Sequence, residues 1–149
     1  MWIYKHRFDV NADLCRVSEF HSDANALKKL TMPPAWVQMR EVQPLKEGSI
    51  ARFTLWLGPI PIRWLAVHQD VDPQRGFTDI QLEGPFQTWR HRHSFVPTAT
   101  NITEVHDEIL AEPGKSLFKR MVSHAMWIAM PLLFAYRAWI TRRTIEGWG

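Results

Sequence analysis

The chain has 149 residues and a formal net charge of +3, with 46% hydrophobic and 22% charged residues. That is the composition of a folded globular domain rather than a disordered chain, and the length fits one domain spanning residues 1–149. No lysine/arginine block tracks a phosphate backbone: Arg137, Arg142 and Arg143 read as charges near a helix C-terminus, so no nucleic-acid partner is expected.

The single cysteine, Cys15, cannot form an intrachain disulfide, which points to a reducing, cytoplasmic setting; it reads as a structural residue of a helix with Leu14 and Val17. The longest uncharged stretch, Ala125 to Tyr136, is far short of the ~20 residues a membrane span requires, and the first residues lack a signal-peptide core. No stable membrane insertion is expected.

Trp2, Tyr4, His6, Phe8 and Val10 alternate with charged residues, a half-buried strand. Asn11 or Asp13 can cap a first short helix carrying Leu14, Val17 and Phe20, and Ser22 a second over Ala24–Leu30, ended by Pro33-Pro34. From Trp36 to about Ala111 follow six extended runs separated by short turn signals, which leaves room for antiparallel hairpins but not for crossover helices. After Pro113-Gly114, apolar residues from Leu117 to Ile140 recur every three or four positions, a long helix that Pro131 should kink or split. The expected fold is α+β: a curved antiparallel sheet of about seven strands wrapped around a long C-terminal helix, with two short helices after the first strand. A space between such a sheet and helix is a natural small-molecule site.

Several motifs carry a resemblance. They are Thr31-x-Pro33-Pro34-x-Trp36, Ile60-Pro61-x-Arg63-Trp64, and the run Phe77-x-Asp79-x-Gln81-x-x-Gly84-Pro85-Phe86-x-x-Trp89-x-His91-x-His93-x-Phe95. Asp107, Pro113-Gly114 and Phe134-Ala135-Tyr136-Arg137 complete the pattern. The chain resembles the SRPBCC or START-like superfamily, the helix-grip fold shared with birch-pollen-allergen-like proteins, and more narrowly its small bacterial cyclase/dehydrase-like members. Ala111 departs from the aromatic residue often found before the Pro-Gly, which implies a roomier cavity or a different ligand. The resemblance implies lipids, polyketides, hormones or quinones as ligand classes, with cyclases among the members.

His91 and His93 are the candidates for chemistry. Positions i and i+2 on a strand share a face, here with Trp89 and Phe95, while Arg90, Arg92 and Ser94 take the other. A hairpin centred at Ala99 would set His91 opposite Asp107, His93 opposite Val105 and Trp89 opposite Ile109, a proposal that depends on register. A satisfied polar cluster and a general acid/base role for His91 oriented by Asp107 both remain open. No metal and no cofactor are expected: His106 and Asp107 are adjacent and point to opposite faces, so His91 and His93 lack a third ligand. Asp79, Gln81 and Glu83 form a polar row with Phe77 that reads as an outward face, and Arg63 reads as a solvated charge.

The expected function is binding of a hydrophobic or amphipathic small molecule, lipid-, polyketide- or isoprenoid-like, between the sheet and the C-terminal helix. Its expected lining is Trp64, Trp89, His91, His93, Phe95, Asp107, Met121, Ala125 and Leu132. One alternative is a cyclase or dehydratase using His91 and His93 for proton transfer. A second is lipid or quinone handling at a membrane surface, with the basic end of the C-terminal helix touching anionic headgroups. A homodimer is compatible with the sequence.

Overall fold

In the computed structural model, which describes residues 1–147, the chain runs β1 (Trp2–Val10), α1 (Leu14–Ser22), α2 (Asn25–Leu30), β2 (Trp36–Val42), β3 (Ile50–Leu57) and β4 (Ile60–Asp72). It continues through β5 (Gly76–Glu83), β6 (Thr88–Ala99), β7 (Ile102–Glu112), α3 (Leu117–Ile128) and α4 (Met130–Ile145). The strands form one antiparallel sheet in the order β1-β7-β6-β5-β4-β3-β2. The first two strands thus lie at opposite edges, bridged by α1 and α2, and every later step is a hairpin. This is the α+β helix-grip arrangement, with seven strands and the two short early helices.

Local chemistry accounts for most boundaries. In β1, Phe8 and Val10 are buried while Ile3, Lys5, Arg7 and Asp9 are exposed, the alternation of a sheet with one covered face. Asp13 caps α1, its carboxylate accepting from the Arg16 backbone N–H at 2.9 Å. Ser22 does not cap α2. Its hydroxyl donates back to the Ser18 carbonyl at 2.7 Å within α1, and the Asp23 carboxylate accepts from the Asn25 N–H instead.

Gly76 opens β5 with φ +140°, and a Cβ there would sit 2.0 Å from the His93 carbonyl oxygen. Only glycine lets β5 approach β6 this closely.

The β6–β7 register differs from the expected one. Asn101 takes a left-handed conformation (φ 61°), a role asparagine tolerates, and the turn falls one residue later than a centre at Ala99. Cross-strand partners are therefore Trp89 with Ala111, His91 with Ile109, His93 with Asp107 and Phe95 with Val105. Each residue's partner moves by two positions, so every side chain keeps its face.

Pro131 splits the C-terminal helix as expected. α3 ends at Ile128, Ala129 has φ −80° and ψ −6°, and α4 begins at Met130. α4 buries Met130, Phe134, Ala138, Thr141 and Ile145. α3 does not continue that stripe: Leu117, Phe118, Met121 and Ile128 are exposed, and Ser123 is its one buried residue. Met121 (64% exposed) and Leu132 (60%) consequently lie outside the core and are corrected as cavity candidates. Leu132 is two residues from both Met130 and Phe134, about 200° around the helix from each.

Two packed clusters bracket the interior. Phe8, Val10, Val17, Phe95, Val105 and Ile145 form one, and Trp64, Phe86, Trp89, Ile109, Met130 and Phe134 the other.

Candidate functional site

Between the sheet's concave face and the helices lies a cavity of about 530 Å³, within the ~300–1,000 Å³ usual for small-molecule sites. Apolar side chains from every side make most of its wall, among them Leu30, Val37, Phe53, Trp64, Ala66 and Leu133. Its polar wall brings together His21 of α1, His68 of β4, Asp79 of β5, His91 and His93 of β6, and Arg137 of α4.

His68, Asp79, His93 and His91, with Asp107 of β7 behind them, form a chain across four strands. His68 Nδ1 lies 3.0 Å from Ser49 Oγ, and its Nε2 lies 3.0 Å from Asp79 Oδ1, an ion-pair distance off the line of a good hydrogen bond. His93 Nε2 donates to Asp79 Oδ2 at 2.8 Å, and its Nδ1 lies 3.5 Å from Asp107 Oδ1. His91 Nε2 donates to that same Asp107 oxygen at 2.7 Å. The His91 and His93 rings stack with centroids 3.8 Å apart. Phe77 stacks on the far face of His93 at 4.4 Å, and Phe134 meets His91 edge-on at 5.7 Å.

The environment fixes the charges. Burial disfavours both carboxylate anions, but the His68 and His93 imidazoles beside it hold Asp79 well below the usual carboxylate range. The His91 hydrogen bond does the same for Asp107. Burial, reinforced by His93, lowers His91 to about 4 against the pull of Asp107. Burial likewise lowers His21 to about 4. Burial alone would lower His68 as well, but the Asp79 carboxylate outweighs it and raises this imidazole above its ordinary value.

At neutral pH His21 and His91 are therefore neutral, and their partners set the tautomers. His91 carries its proton on Nε2, towards Asp107, so Nδ1 is a lone-pair acceptor. His21 donates from Nδ1 to the Val17 carbonyl at 2.9 Å, which leaves Nε2 as the acceptor.

Of the residues expected to line the cavity, Trp64, Trp89, His91, His93 and Ala125 stand in its wall. Phe95 packs instead in the core beside Phe8, Val10 and Phe77, and Asp107 stands behind the imidazoles without facing the cavity itself. Asp79 reverses its expected outward placement: Phe77, Asp79 and Gln81 point inward, while Leu82 is 60% exposed. Asp79 and Gln81 can face inward because each has a partner, Gln81 exchanging two hydrogen bonds with the Phe86 backbone, while Glu83 is exposed. His21, His68 and Arg137 were also missed. Arg63 is exposed as expected, and Cys15 is exposed rather than packed, its thiol donating to Glu19 at 3.3 Å.

Asp79 supplies the third metal-type ligand that His91 and His93 lacked in the sequence, the three donor atoms lying within 4.8 Å of one another. The geometry does not suit an ion. Stacked imidazoles inclined by 26° keep their in-plane lone pairs from converging on a point ~2 Å from both nitrogens. His106 cannot substitute, because it faces away and pairs with Glu104.

No family model and no curated protein sequence matches the chain. Solved structures do. A protein of Thermus thermophilus superposes with a TM-score of 0.73 at 15% identity, covering 98% of each chain. The Zhui aromatase/cyclase of a Streptomyces species gives 0.67 at 17% identity, over 99% of this chain and 98% of that one. A START superfamily protein of Mycobacterium smegmatis gives 0.65 at 12%, over 99% of each. The chain therefore has the helix-grip fold of these structures. At these identities the likeness speaks to the fold, while ligand and chemistry rest on this chain's own residues.

Proposed function

We propose that this protein binds a hydrophobic or amphipathic small molecule, lipid-, polyketide- or isoprenoid-like, in the cavity between the sheet and α3–α4. The supporting observation is a ligand-sized cavity with a mostly apolar wall, into which a hydrogen-bonded cluster of His68, Asp79, His91 and His93 projects. The apolar wall favours a greasy body by removing its surface from water, and the polar groups orient one end of it. Trp64, Trp89 and Ala125 would touch the body, and His91 and His93 the polar end. Native mass spectrometry of the purified protein should find a small molecule bound one per chain. Ala66→Trp, which fills the cavity from β4, should abolish that species while the fold remains. An apolar probe taken up equally by wild type and Ala66→Trp would sink the reading.

A second reading, a cyclase or dehydratase, is favoured by the hydrogen bond that orients His91. With Nε2 held by Asp107, the Nδ1 lone pair can remove a proton from the ligand and return it to a departing hydroxyl, which leaves as water. Turnover abolished in His91→Gln with the fold retained would support this. The Zhui aromatase/cyclase shares the fold, which makes this chemistry worth assaying.

A further inference from the structure

Arg137 is the charged cavity group for which the described residues supply no hydrogen-bond acceptor. It lies on α4 three residues after Phe134 and four after Leu133, on the stripe that faces the sheet, and it lines the cavity. Its guanidinium carbon stands 5.3 Å from the centre of the Phe134 ring. Among the described residues no acceptor hydrogen-bonds its guanidinium, and no carboxylate lies within 4.0 Å of it. The other arginines of α4 are engaged elsewhere: Arg142 donates to the Asp9 carbonyl at 2.8 Å, and Arg143 lies over Trp139.

A guanidinium is charged at any physiological pH, and half-burying one at a cavity wall without a partner carries a desolvation cost. The nearby carboxylates are committed, Asp107 to His91 and Asp79 to His68 and His93. They soften the cost through space without satisfying the five N–H donors. The planar fork is thus free to receive two oxygens from a bound molecule.

Resting on the ligand-binding reading above, we infer that the ligand is an amphipathic carboxylic acid whose carboxylate is held by Arg137 while its apolar body fills the cavity. A carboxylate matches the fork and brings one negative charge. A phosphate monoester would bring close to two, against the ionised Asp79 and Asp107 on the same wall. An amine would meet Arg137 as a like charge. The neutral imidazoles of His21 and His91 neither attract nor repel an anion strongly, and His68 is paired with Asp79, so the selectivity falls on Arg137.

Three probes of one chain length test this: dodecanoate, dodecanol and dodecyl phosphate, titrated calorimetrically at pH 7.5. Wild type should bind dodecanoate about tenfold or more tighter than dodecanol, and more tightly than dodecyl phosphate. Arg137→Gln should lose about tenfold or more for the acid and stay within about twofold for the alcohol, with Arg137→Lys between. Equal binding of acid and alcohol by wild type would overturn the inference and leave the cavity reading intact. So would equal weakening of both in Arg137→Gln, the mark of a structural arginine. Tighter binding of the phosphate would overturn the choice of carboxylate. Should Arg137→Gln fail to fold, judged by its thermal transition, the wild-type ratios and Arg137→Lys decide. Uptake of none of the probes by wild type would fell the binding reading, and this inference with it.

Discussion

His93 faces Asp107 across the β6–β7 ladder, yet the short hydrogen bond to that carboxylate comes from His91, two residues along the same strand. The diagonal contact is possible because both histidines and Asp107 lie on the concave face. Their rings stack, so the nearer imidazole turns its Nε2 to Asp79 and leaves Asp107 Oδ1 to its neighbour. One carboxylate thus anchors His91 and closes on His93 Nδ1 at 3.5 Å.

That arrangement predicts strong coupling. His91→Ala leaves Asp107 buried with its main partner gone, and Asp107→Ala does the same to His91. Each should cost ~1–3 kcal/mol in urea unfolding. The double substitution should cost clearly less than the sum, because the second change removes a group already orphaned. Additivity within error would show that the two side chains do not stabilise each other.

The element order and the concave face of β6 were legible in the sequence, because hydrophobic alternation and turn residues are local signals. The register was not. It depended on whether Ala99 or the following Thr100–Asn101 pair carried the turn, and Asn101 in its left-handed conformation decided it. Asp79 was misplaced for a different reason: a polar row reads as solvated unless its partners are known, and His68 and His93 come from two other strands. Arg137 did carry a signal, since it falls on the spacing of Met130, Leu133, Phe134 and Ala138. Its charge and nearness to the chain's end favoured the helix-terminus reading over the cavity.

The split at Ala129–Pro131 separates two apolar stretches that periodicity alone merges. Leu132 is 60% exposed, so Leu132→Asp should change stability by no more than about 0.5 kcal/mol. Phe134, 4% exposed against His91, Tyr4 and Met130, should cost ~3–5 kcal/mol on replacement by alanine. Thermal unfolding of the two variants should separate them widely. A Leu132→Asp chain that melts as early as Phe134→Ala would contradict the placement of α4.

Stacking of His91 on His93 also bears on metals. The purified protein should carry well under one zinc or iron per chain by elemental analysis, since aiming both lone pairs at one ion requires the stacked rings to separate. About one equivalent retained through dialysis would mean that the imidazoles unstack and that Asp79 serves as a ligand.

The cavity histidines should make the fold acid-sensitive well above the range where carboxylates titrate. His21 and His91 titrate at about 4 in the folded protein and near 6.5 when unfolded. Above pH 6.5 both states hold these rings neutral and the pair adds no pH dependence. Between 6.5 and 4 the unfolded chain takes up protons that the fold refuses, so stability falls as pH falls, by up to about 1.4 kcal/mol per pH unit for each group. Below that window Asp79 and Asp107, held under their ordinary value, extend the loss as they are forced to protonate. His68 acts in the opposite sense. Its raised value adds stability that is fully present below 6.5 and is lost as pH rises through its folded value. Urea midpoints measured from pH 4 to 8 should therefore peak near neutrality with the steeper arm on the acid side. His21→Gln removes one of the two refused protons without touching Asp107, and should cut the slope between 6.5 and 4 to roughly half. A midpoint that is flat or rises as pH drops through this window would mean that the two rings are protonated in the folded protein, and the neutral-base role given to His91 would fall.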